Sequence, residues 1–373
     1  MMKFLLIGGT LLGLLLITGW VYLQRPQFGP TIDVSDFTGG QGSPRFTDGQ
    51  FHNLEPTELL AGDENTASII AQGLFQKRPD NLRPAIPIPN RKTDLKSLDI
   101  ERDLVVWLGH SSWFVQLGGR RILIDPVFSR YAAPVPFANE AFEGALVYSV
   151  ADMPEIDYLL ITHDHWDHLD YPTIDALRGR VRHVVCGLGI DQYFLHWGYS
   201  GEQLHARDWF STVTLDPVLT IHLLPARHYS SRLLTKNQTL WVAFALETSA
   251  RKLFFGGDSG YGQHIGRIAG QFGTFDLAVL DMGQYDDRWR YIHMTPEQAS
   301  QATEELHAQA LLPSHVGKFT IANHAWDEPF ERIVTASKGK AYRLLTPMIG
   351  ETVDLSNDDQ HFAAWWRQME SRE

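Results

Sequence analysis

The sequence predicts a layered α/β domain, and three observations support this fold class. Short β-rich apolar runs bounded by glycine and aspartate recur from residue 104 onwards, as buried strands do. Runs with helical periodicity lie between and after them, so helices should cover the outer faces of the sheets. The chain has 373 residues, 44% of them hydrophobic, which is enough to bury a substantial core.

The first predicted element is a helix over the apolar run Phe4–Leu23, which carries no charge. At about 1.5 Å per residue it would reach about 30 Å, the thickness of the bilayer hydrocarbon core. We therefore predict a single-pass membrane anchor over residues 1–25, with membrane contact through residues 4–23. Lys3 and the terminal amine, against Arg25, favour an extracytoplasmic location for the folded domain. A cleaved signal peptide is the alternative interpretation.

The following segment, residues 26–56, is rich in proline, glycine, serine and aspartate and is predicted to be a linker and a peripheral wrap. A hydrolase domain is then predicted over residues 57–373, with a helix near its start over Thr57–Gln76. Nine strands are predicted, at Leu104–Leu108, Trp113–Leu117, Arg121–Ile124, Tyr158–Thr162, Val181–Cys186, Leu219–Leu224, Leu240–Glu247, Lys252–Gly256 and Leu277–Met282. Four further helices are predicted, at Asp170–Arg178, Asp191–Trp197, Gly262–Phe272 and Pro296–His307.

Charge and cysteine content exclude some classes of function. The formal net charge is -12, with both signs interspersed, which disfavours nucleic acid as a partner. The single cysteine, Cys186, can build neither a disulfide framework nor a cysteine zinc site. Any metal must therefore be held by histidine and carboxylate.

The strongest motif is the six-residue run His-Asp-His-Trp-Asp-His from His163 to His168, directly after the apolar run Tyr158–Thr162. Residues two apart at a strand end point the same way, so His163 and His165 can converge. Neutral imidazoles together with the carboxylate of Asp167 suit a divalent metal. The alternative is a histidine-rich surface turn, but three crowded imidazoles would repel on protonation unless metal or hydrogen bonds held them.

Four ligands do not fill two metal sites, so further histidine and aspartate residues are expected at strand ends downstream. Three apolar runs each deliver one such residue at their C-terminal tip: His228, Asp258 and His315. Any one of them alone could be structural. As an ordered set after the first motif, they predict a two-metal site.

These motifs resemble those of the metallo-β-lactamase superfamily, and within it the branch of N-acylphosphatidylethanolamine-hydrolysing phospholipase D and bacterial RomA-like proteins. The resemblance spans roughly residues 43–324 and rests on Arg45–Asn53, Trp107–Ser112, Ile124–Phe128, His163–His168, Arg227–Ser230, Gly256–Tyr261, His293–Glu297 and Ser314–Gly317. It implies an αββα sandwich with the metals between the sheet edges. The predicted fold is thus this sandwich preceded by the anchor helix.

The resemblance also implies the roles of the site residues. One zinc ion would take His163, His165 and His228; the other would take Asp167, His168 and His315; Asp258 would bridge them. Manganese or iron could replace zinc, because histidine and aspartate accept all three. His293, outside the ligand set, would protonate the leaving group or bind substrate phosphate, unless it only begins a helix before Pro296.

The predicted function is a membrane-tethered dinuclear zinc phosphodiesterase acting on N-acylphosphatidylethanolamine-like phospholipids, with metal-activated water as the nucleophile. The first alternative is a metallo-lactonase or another ester hydrolase with a small-molecule substrate. The second is a non-catalytic metal-binding membrane protein linked to permeability or drug resistance. A serine nucleophile at Ser259 is rejected, because no disulfide framework or partner histidine motif accompanies it.

Overall fold

Two seven-stranded sheets form the centre of the computed structural model, which describes residues 2–37, 42–60, 78–232 and 235–369, with the backbone alone for residues 2–9. The strands in chain order are β1 (Phe46–Thr47), β2 (Gln50–Phe51), β3 (Leu104–Trp107), β4 (Trp113–Leu117), β5 (Arg120–Ile124), β6 (Ile156–Ile161), β7 (Val181–Gly187), β8 (Leu204–Arg207), β9 (Ser211–Val213), β10 (Thr220–Leu224), β11 (Ser231–Arg232), β12 (Thr235–Lys236), β13 (Ala243–Glu247), β14 (Lys252–Phe255), β15 (Leu277–Asp281), β16 (Ala310–Ser314), β17 (Arg343–Leu344) and β18 (Thr352–Asp354). The α/β fold class is confirmed.

Both sheets are mixed. The first has the order β18-β3-β4-β5-β6-β7-β8, and its strands β5 to β8 are parallel. The second has the order β17-β16-β15-β14-β13-β10-β9, and its strands β14 to β17 are parallel. Parallel strands buried on both faces read as continuous apolar runs, which is why the sequence predicted the inner strands β5, β6, β7, β14 and β15.

The core lies between the two sheets. Trp113 of β4 and Phe255 of β14 are both buried, and their ring centroids lie 6.4 Å apart in an edge-to-face contact. β3, β4 and β15 are buried along their whole length. Side chains from the two inner faces therefore interdigitate, as in a sandwich.

Six helices are described: α1 (Met2–Leu23), α2 (Tyr171–Leu177), α3 (Asp191–His196), α4 (Gln263–Phe272), α5 (Pro296–Glu305) and α6 (Glu328–Ala336). The four helices predicted downstream correspond to α2 to α5. Helix α5 packs on β15 and β16 and contacts α4 and α6. Its N-terminus is fixed because the side chain of Thr295 accepts a hydrogen bond from the backbone N–H of Gln298. The predicted helix over Thr57–Gln76 falls mainly on residues 61–77, outside the described residues.

Helix α1 occupies the position of the predicted membrane anchor. Within the described ranges, no helix is both long enough and apolar enough to span a bilayer. The transmembrane anchor predicted over residues 1–25 is therefore not supported.

Residues 26–56 do more than link and wrap. Ile32, Phe37, Phe46 and Phe51 belong to the main hydrophobic core. The rings of Phe37, Phe46 and Phe51 contact one another, with centroids 4.9 to 5.5 Å apart. This segment therefore contributes directly to the packing of the domain.

The buried side chain of Arg232 connects the N-terminal segment to the loop that carries the histidine motif, residues 163–168. Arg232 donates hydrogen bonds to the carbonyl oxygen of Gln27 from Nε at 3.0 Å and from a terminal nitrogen at 2.8 Å. It also donates to the carbonyl oxygens of Asp164 and Leu169 at 2.8 and 3.0 Å. Because a buried guanidinium is costly unless its donors are satisfied, these carbonyls fix the loop and residue 27 relative to each other.

Two deletions test the boundary between α1 and the domain. Removing residues 1–25 keeps Gln27 and every aromatic of the 26–56 segment. It loses the hydrogen bond from Tyr22 to Pro134, so the midpoint of thermal unfolding should fall by about 2–4 °C at most. Removing residues 1–37 also deletes Phe28, Ile32 and Phe37, worth about 1.5–3 kcal/mol each, and should lower the midpoint much further. Equal unfolding midpoints for the two truncated chains would contradict this boundary.

Candidate metal centre

The predicted ligands meet because strands of both sheets end at the same edge of the sandwich. His163 follows β6 of the first sheet, while His228, Asp258 and His315 follow β10, β14 and β16 of the second. All four are buried. The structure thus brings together every residue predicted to hold metal.

Three histidines form a first ligand group with one carboxylate oxygen. Nδ1 of His165 lies 2.9 Å from Nε2 of His163 and 3.3 Å from Nε2 of His228. Oδ2 of Asp258 lies 3.8 Å from Nε2 of both His163 and His228. Ligands at about 2.1 Å from a tetrahedral ion lie about 3.4 Å from one another, so these separations match a single metal site.

A second group lies on the other side of Asp258. Oδ2 of Asp167 is 3.1 Å from Nε2 of His315 and 3.6 Å from Nε2 of His168. Oδ1 of Asp258 is 3.2 Å from Nε2 of His168, and its Oδ2 is 3.3 Å from Nε2 of His315. The carboxylate of Asp258 therefore faces both groups, as the bridging role requires.

The donor atoms fit divalent metal. Nε2 of His168 and Oδ1 of Asp258 are buried and have no hydrogen-bond partner among the described residues. In each group the candidate ligand atoms lie within 4.8 Å of one another. Imidazole nitrogen and carboxylate oxygen are ligands for zinc, manganese and iron alike, so the cluster suits metal binding without fixing which metal is bound.

The electrostatics couple the carboxylates to the imidazoles. Burial alone would raise the pKa of Asp258, but His168 and His315 hold it well below its usual range. Burial would likewise lower the pKa of His315, but Asp258 and Asp281 raise it to about 10. Burial and neighbouring histidines hold the pKa of His163 well below its usual range, in the neutral form that binds metal.

Two further carboxylates orient the ligands. Oδ2 of Asp125 lies 2.7 Å from Nδ1 of His168. Asp281 contacts Nδ1 of His293 at 2.8 Å and Nδ1 of His315 at 3.3 Å. Such partners fix the tautomer and ring orientation of a ligand. Sequence analysis missed both aspartates, although each lies at the end of an apolar strand, as Asp258 does.

His110 is a third residue that sequence analysis missed. It is fully buried in the second group, with Nε2 2.9 Å from Oδ2 of Asp167. Burial, reinforced by His315, lowers the pKa of His110 to about 3, so its imidazole is neutral. Its φ of 56° places it in the left-handed region, directly after Gly109 at φ 95°. This turn is what aims the ring at Asp167.

His293 lies beside the cluster and faces a cavity. Its ring is nearly parallel to that of His315, with centroids 5.0 Å apart. Because Nδ1 contacts Asp281, Nε2 is the nitrogen left for a substrate. The cavity has a volume of about 420 Å³, and its walls include Pro134, Asn139, His165, Trp166, Asp167, Tyr229, Asp258, His293 and His315.

The structure gives Ser259 a histidine partner that sequence analysis did not identify. Oγ of Ser259 lies 3.0 Å from Nε2 of His264 and accepts a hydrogen bond from the backbone N–H of Arg227 at 2.9 Å. However, Ser259 is buried and does not line the cavity. Its hydroxyl holds the turn after β14 in place rather than facing substrate.

Comparison with known proteins agrees with this geometry. Residues 120–316, more than half of the chain, match the family described as the beta-lactamase superfamily domain. The chain belongs to the metallo-β-lactamase superfamily. As a member of this superfamily with a buried two-group cluster, it is a metal-dependent hydrolase.

Three relatives illustrate the range of the superfamily around this chain. An uncharacterized protein of Mycobacterium tuberculosis is 34% identical over 329 residues, 87% of this chain and 88% of its own length. The outer membrane protein RomA of Klebsiella pneumoniae is 51% identical over 100 residues, 27% of this chain and 76% of its own. An N-acyl-phosphatidylethanolamine-hydrolyzing phospholipase D of Caenorhabditis elegans is 28% identical over 226 residues, 57% of this chain and 63% of its own.

Solved structures share the fold at low sequence identity. The isothiocyanate hydrolase from Delia radicum gut bacteria has a TM-score of 0.53 at 20% identity and covers 67% of this chain and 98% of its own. CmlA, a diiron β-hydroxylase from Streptomyces venezuelae, has a TM-score of 0.51 at 19% identity, and the match covers 68% of this chain and 54% of the CmlA chain. At these identities the likeness establishes the sandwich and nothing about substrate.

His110→Ala tests the missed histidine. Removing its contact to Asp167 should weaken metal affinity by about 10–100-fold, the usual effect of losing a ligand's hydrogen-bonding partner. Metal titration with a competing chelator measures this. His222→Ala is the matched control, because His222 is half-buried but pairs with Glu247 outside the cluster. Unchanged metal affinity in His110→Ala would make His110 purely structural.

Asp258→Asn tests the bridging carboxylate. The amide keeps the size but removes the charge that faces both groups. Metal affinity and turnover should therefore each fall by more than about 100-fold, the upper end of the loss that follows removal of an outer hydrogen-bonding partner. Metal analysis and steady-state rates measure the two losses.

Ser259→Ala is the control for Asp258→Asn. It should keep both metal content and turnover but cost about 1–3 kcal/mol of stability, because the N–H of Arg227 loses its buried acceptor. An inactive Ser259→Ala beside an active Asp258→Asn would overturn the metal mechanism.

Proposed function

We propose that this hydrolase is a dinuclear zinc phosphodiesterase acting on N-acylphosphatidylethanolamine-like phospholipids. The observation that carries the two-metal proposal is the position of Asp258, whose oxygens face both ligand groups. Two zinc ions, when bound, would lower the pKa of water toward about 7 and neutralise charge on a phosphoryl oxygen.

The residues of the chain have separate tasks in this scheme. The carboxylate of Asp258 keeps the two ligand groups next to each other and accepts a hydrogen bond from the attacking water. His293 is oriented by Asp281 through Nδ1, so that its Nε2 can donate a proton to the leaving oxygen. Asp167 is buried, whereas His165 beside it is half-buried, so substrate and water can reach the ligand groups from the cavity.

Two observations support a lipid substrate. The phospholipase D of Caenorhabditis elegans acts on an N-acyl phosphatidylethanolamine by its name, and it aligns with more than half of this chain. In addition, the apolar side chains of α1, among them Leu15, Leu16 and Trp20, are exposed at 63 to 70%. We propose that they contact a lipid surface. The extracytoplasmic location of the domain stays a prediction.

Two alternatives remain. A lactonase or another ester hydrolase acting on small molecules would use the same buried histidine and aspartate groups. RomA is an outer membrane protein by name and is 51% identical over the segment it shares, which supports a membrane role linked to permeability as the second alternative. Both alternatives use the same cluster, so only substrate assays separate them from the phosphodiesterase.

A substrate panel tests the proposal. The zinc-loaded chain is incubated with vesicles containing N-acyl phosphatidylethanolamine, with a bis-aryl phosphodiester, with a lactone and with a β-lactam, and the products are identified by mass spectrometry. Cleavage of both phosphodiesters supports the proposal. Turnover of the lactone alone, or of none of them with zinc bound, would favour the first or the second alternative respectively.

His293→Ala tests the proton donor. Turnover of a phosphodiester with a poor leaving group should fall by about 10²-fold or more, the usual scale for a lost acid–base group. The metal content should stay at that of the unmodified chain, and added imidazole should restore part of the rate. Loss of metal instead would make His293 a ligand, which its proximity to Asp258 and His315 allows.

A further inference from the structure

A second cavity, of about 320 Å³, lies beside the one that faces the metal cluster. Its walls come from the end of α1, the loop at residues 129–136 and the start of α2. Pro134 and Trp166 line both cavities. The second cavity, here called the side groove, therefore adjoins the metal cavity across these two residues.

Trp166 is held rigidly as the wall between the two cavities. It stands in the histidine-rich motif, between His165 and Asp167. The guanidinium of the buried Arg232 lies 3.9 Å from its ring centroid, and the ring of Phe28 packs against it edge-on with centroids 5.5 Å apart. One ring therefore contributes to the metal cavity and to the side groove at the same time.

The opposite wall is fixed to the N-terminal segment. The carbonyl oxygen of Pro134 accepts hydrogen bonds from the hydroxyl of Tyr22 and from Nε2 of Gln27, the latter at 3.3 Å. Because Gln27 is itself held by Arg232, the loop, the N-terminal segment and Trp166 form one connected frame. The side groove is thus part of the folded structure.

The lining of the side groove is suited to an aliphatic chain. Its apolar surface comes from Tyr22, Ala133, Pro134, Val135, Trp166 and Tyr171. Two of the charged groups at its edge have polar partners: Arg130 binds Glu140 at 2.6 Å, and Asp170 accepts from the backbone N–H of Ser129 at 3.2 Å. The guanidinium of Arg25 lies over the ring of Tyr22, 5.3 Å from its centroid. A polar ligand arm would find few free partners there, whereas an alkyl arm would bury apolar surface.

We propose that the side groove is the binding site for an acyl or alkyl chain of the substrate, whose scissile bond lies at the metal cluster. This inference rests on the proposed phosphodiesterase and names its substrate class as one that carries an aliphatic chain. Because Trp166 and Pro134 line both cavities, a chain that crosses the edge of these two residues runs from the metal cavity into the groove. Each methylene buried there should tighten binding by up to about fourfold.

The test measures binding, so that it does not depend on turnover. Butylphosphonate and octylphosphonate, whose headgroups bind metal, are titrated calorimetrically into the full-length, zinc-loaded chain. We expect octylphosphonate to bind at least tenfold more tightly. In Ala133→Trp, which fills the groove, this preference should disappear while the affinity for butylphosphonate stays unchanged. Ala138→Trp places the same ring shortly after this loop, at a residue that lines neither cavity, and should keep the preference.

Two results would overturn the proposal: equal affinities of the unmodified chain for the two phosphonates, or a preference that survives in Ala133→Trp. Failure of the proposed function appears separately, as a lack of phosphodiester cleavage in the substrate panel. A chain-length preference without such cleavage would support the side groove as a chain-binding site and contradict the phosphodiesterase activity. Cleavage without the preference would support the phosphodiesterase activity and contradict the binding role of the groove.

Discussion

The burial of four carboxylates at one edge of the sandwich is the constraint on which the rest of the structure depends. Asp125, Asp167, Asp258 and Asp281 are all buried, and a buried charge is costly unless it is paired. Each of the four contacts at least one imidazole of the cluster. Metal binding and folding are therefore coupled, because cations offset the cost that burial imposes.

Most of the sheet framework and the predicted ligand set could be read from the sequence for one physical reason. A parallel strand buried on both faces must be apolar throughout, and a residue that follows it lies at a common edge. β6, β14 and β16 each pair in parallel with at least one neighbour, and they precede His163, Asp258 and His315. β10, which precedes His228, is antiparallel to both of its neighbours and partly exposed, and it was found from its shorter apolar end. The short edge strands β8, β9, β17 and β18 were missed, because their partly exposed residues show no such run.

The residues that sequence analysis missed act through geometry that a local pattern does not carry. His110 reaches Asp167 only because a left-handed turn aims it across the sheet edge. Asp125 and Asp281 lie at strand tips like Asp258, but their contacts are to ligand imidazoles rather than to the metal positions. The sequence thus shows that an aspartate lies at a strand end. Its role depends on which side chains the neighbouring strands place beside it.

The metal ligands and the groove beside them come from different parts of the chain. The predicted metal ligands all lie within the matched region, residues 120–316. The side groove takes part of its wall from Tyr22 and Gln27, outside that region. Arg232 connects the two parts, since it holds Gln27 and stacks on Trp166 in the ligand motif. A change in the N-terminal segment can therefore alter which ligand fits beside the metals without altering how the metals are held.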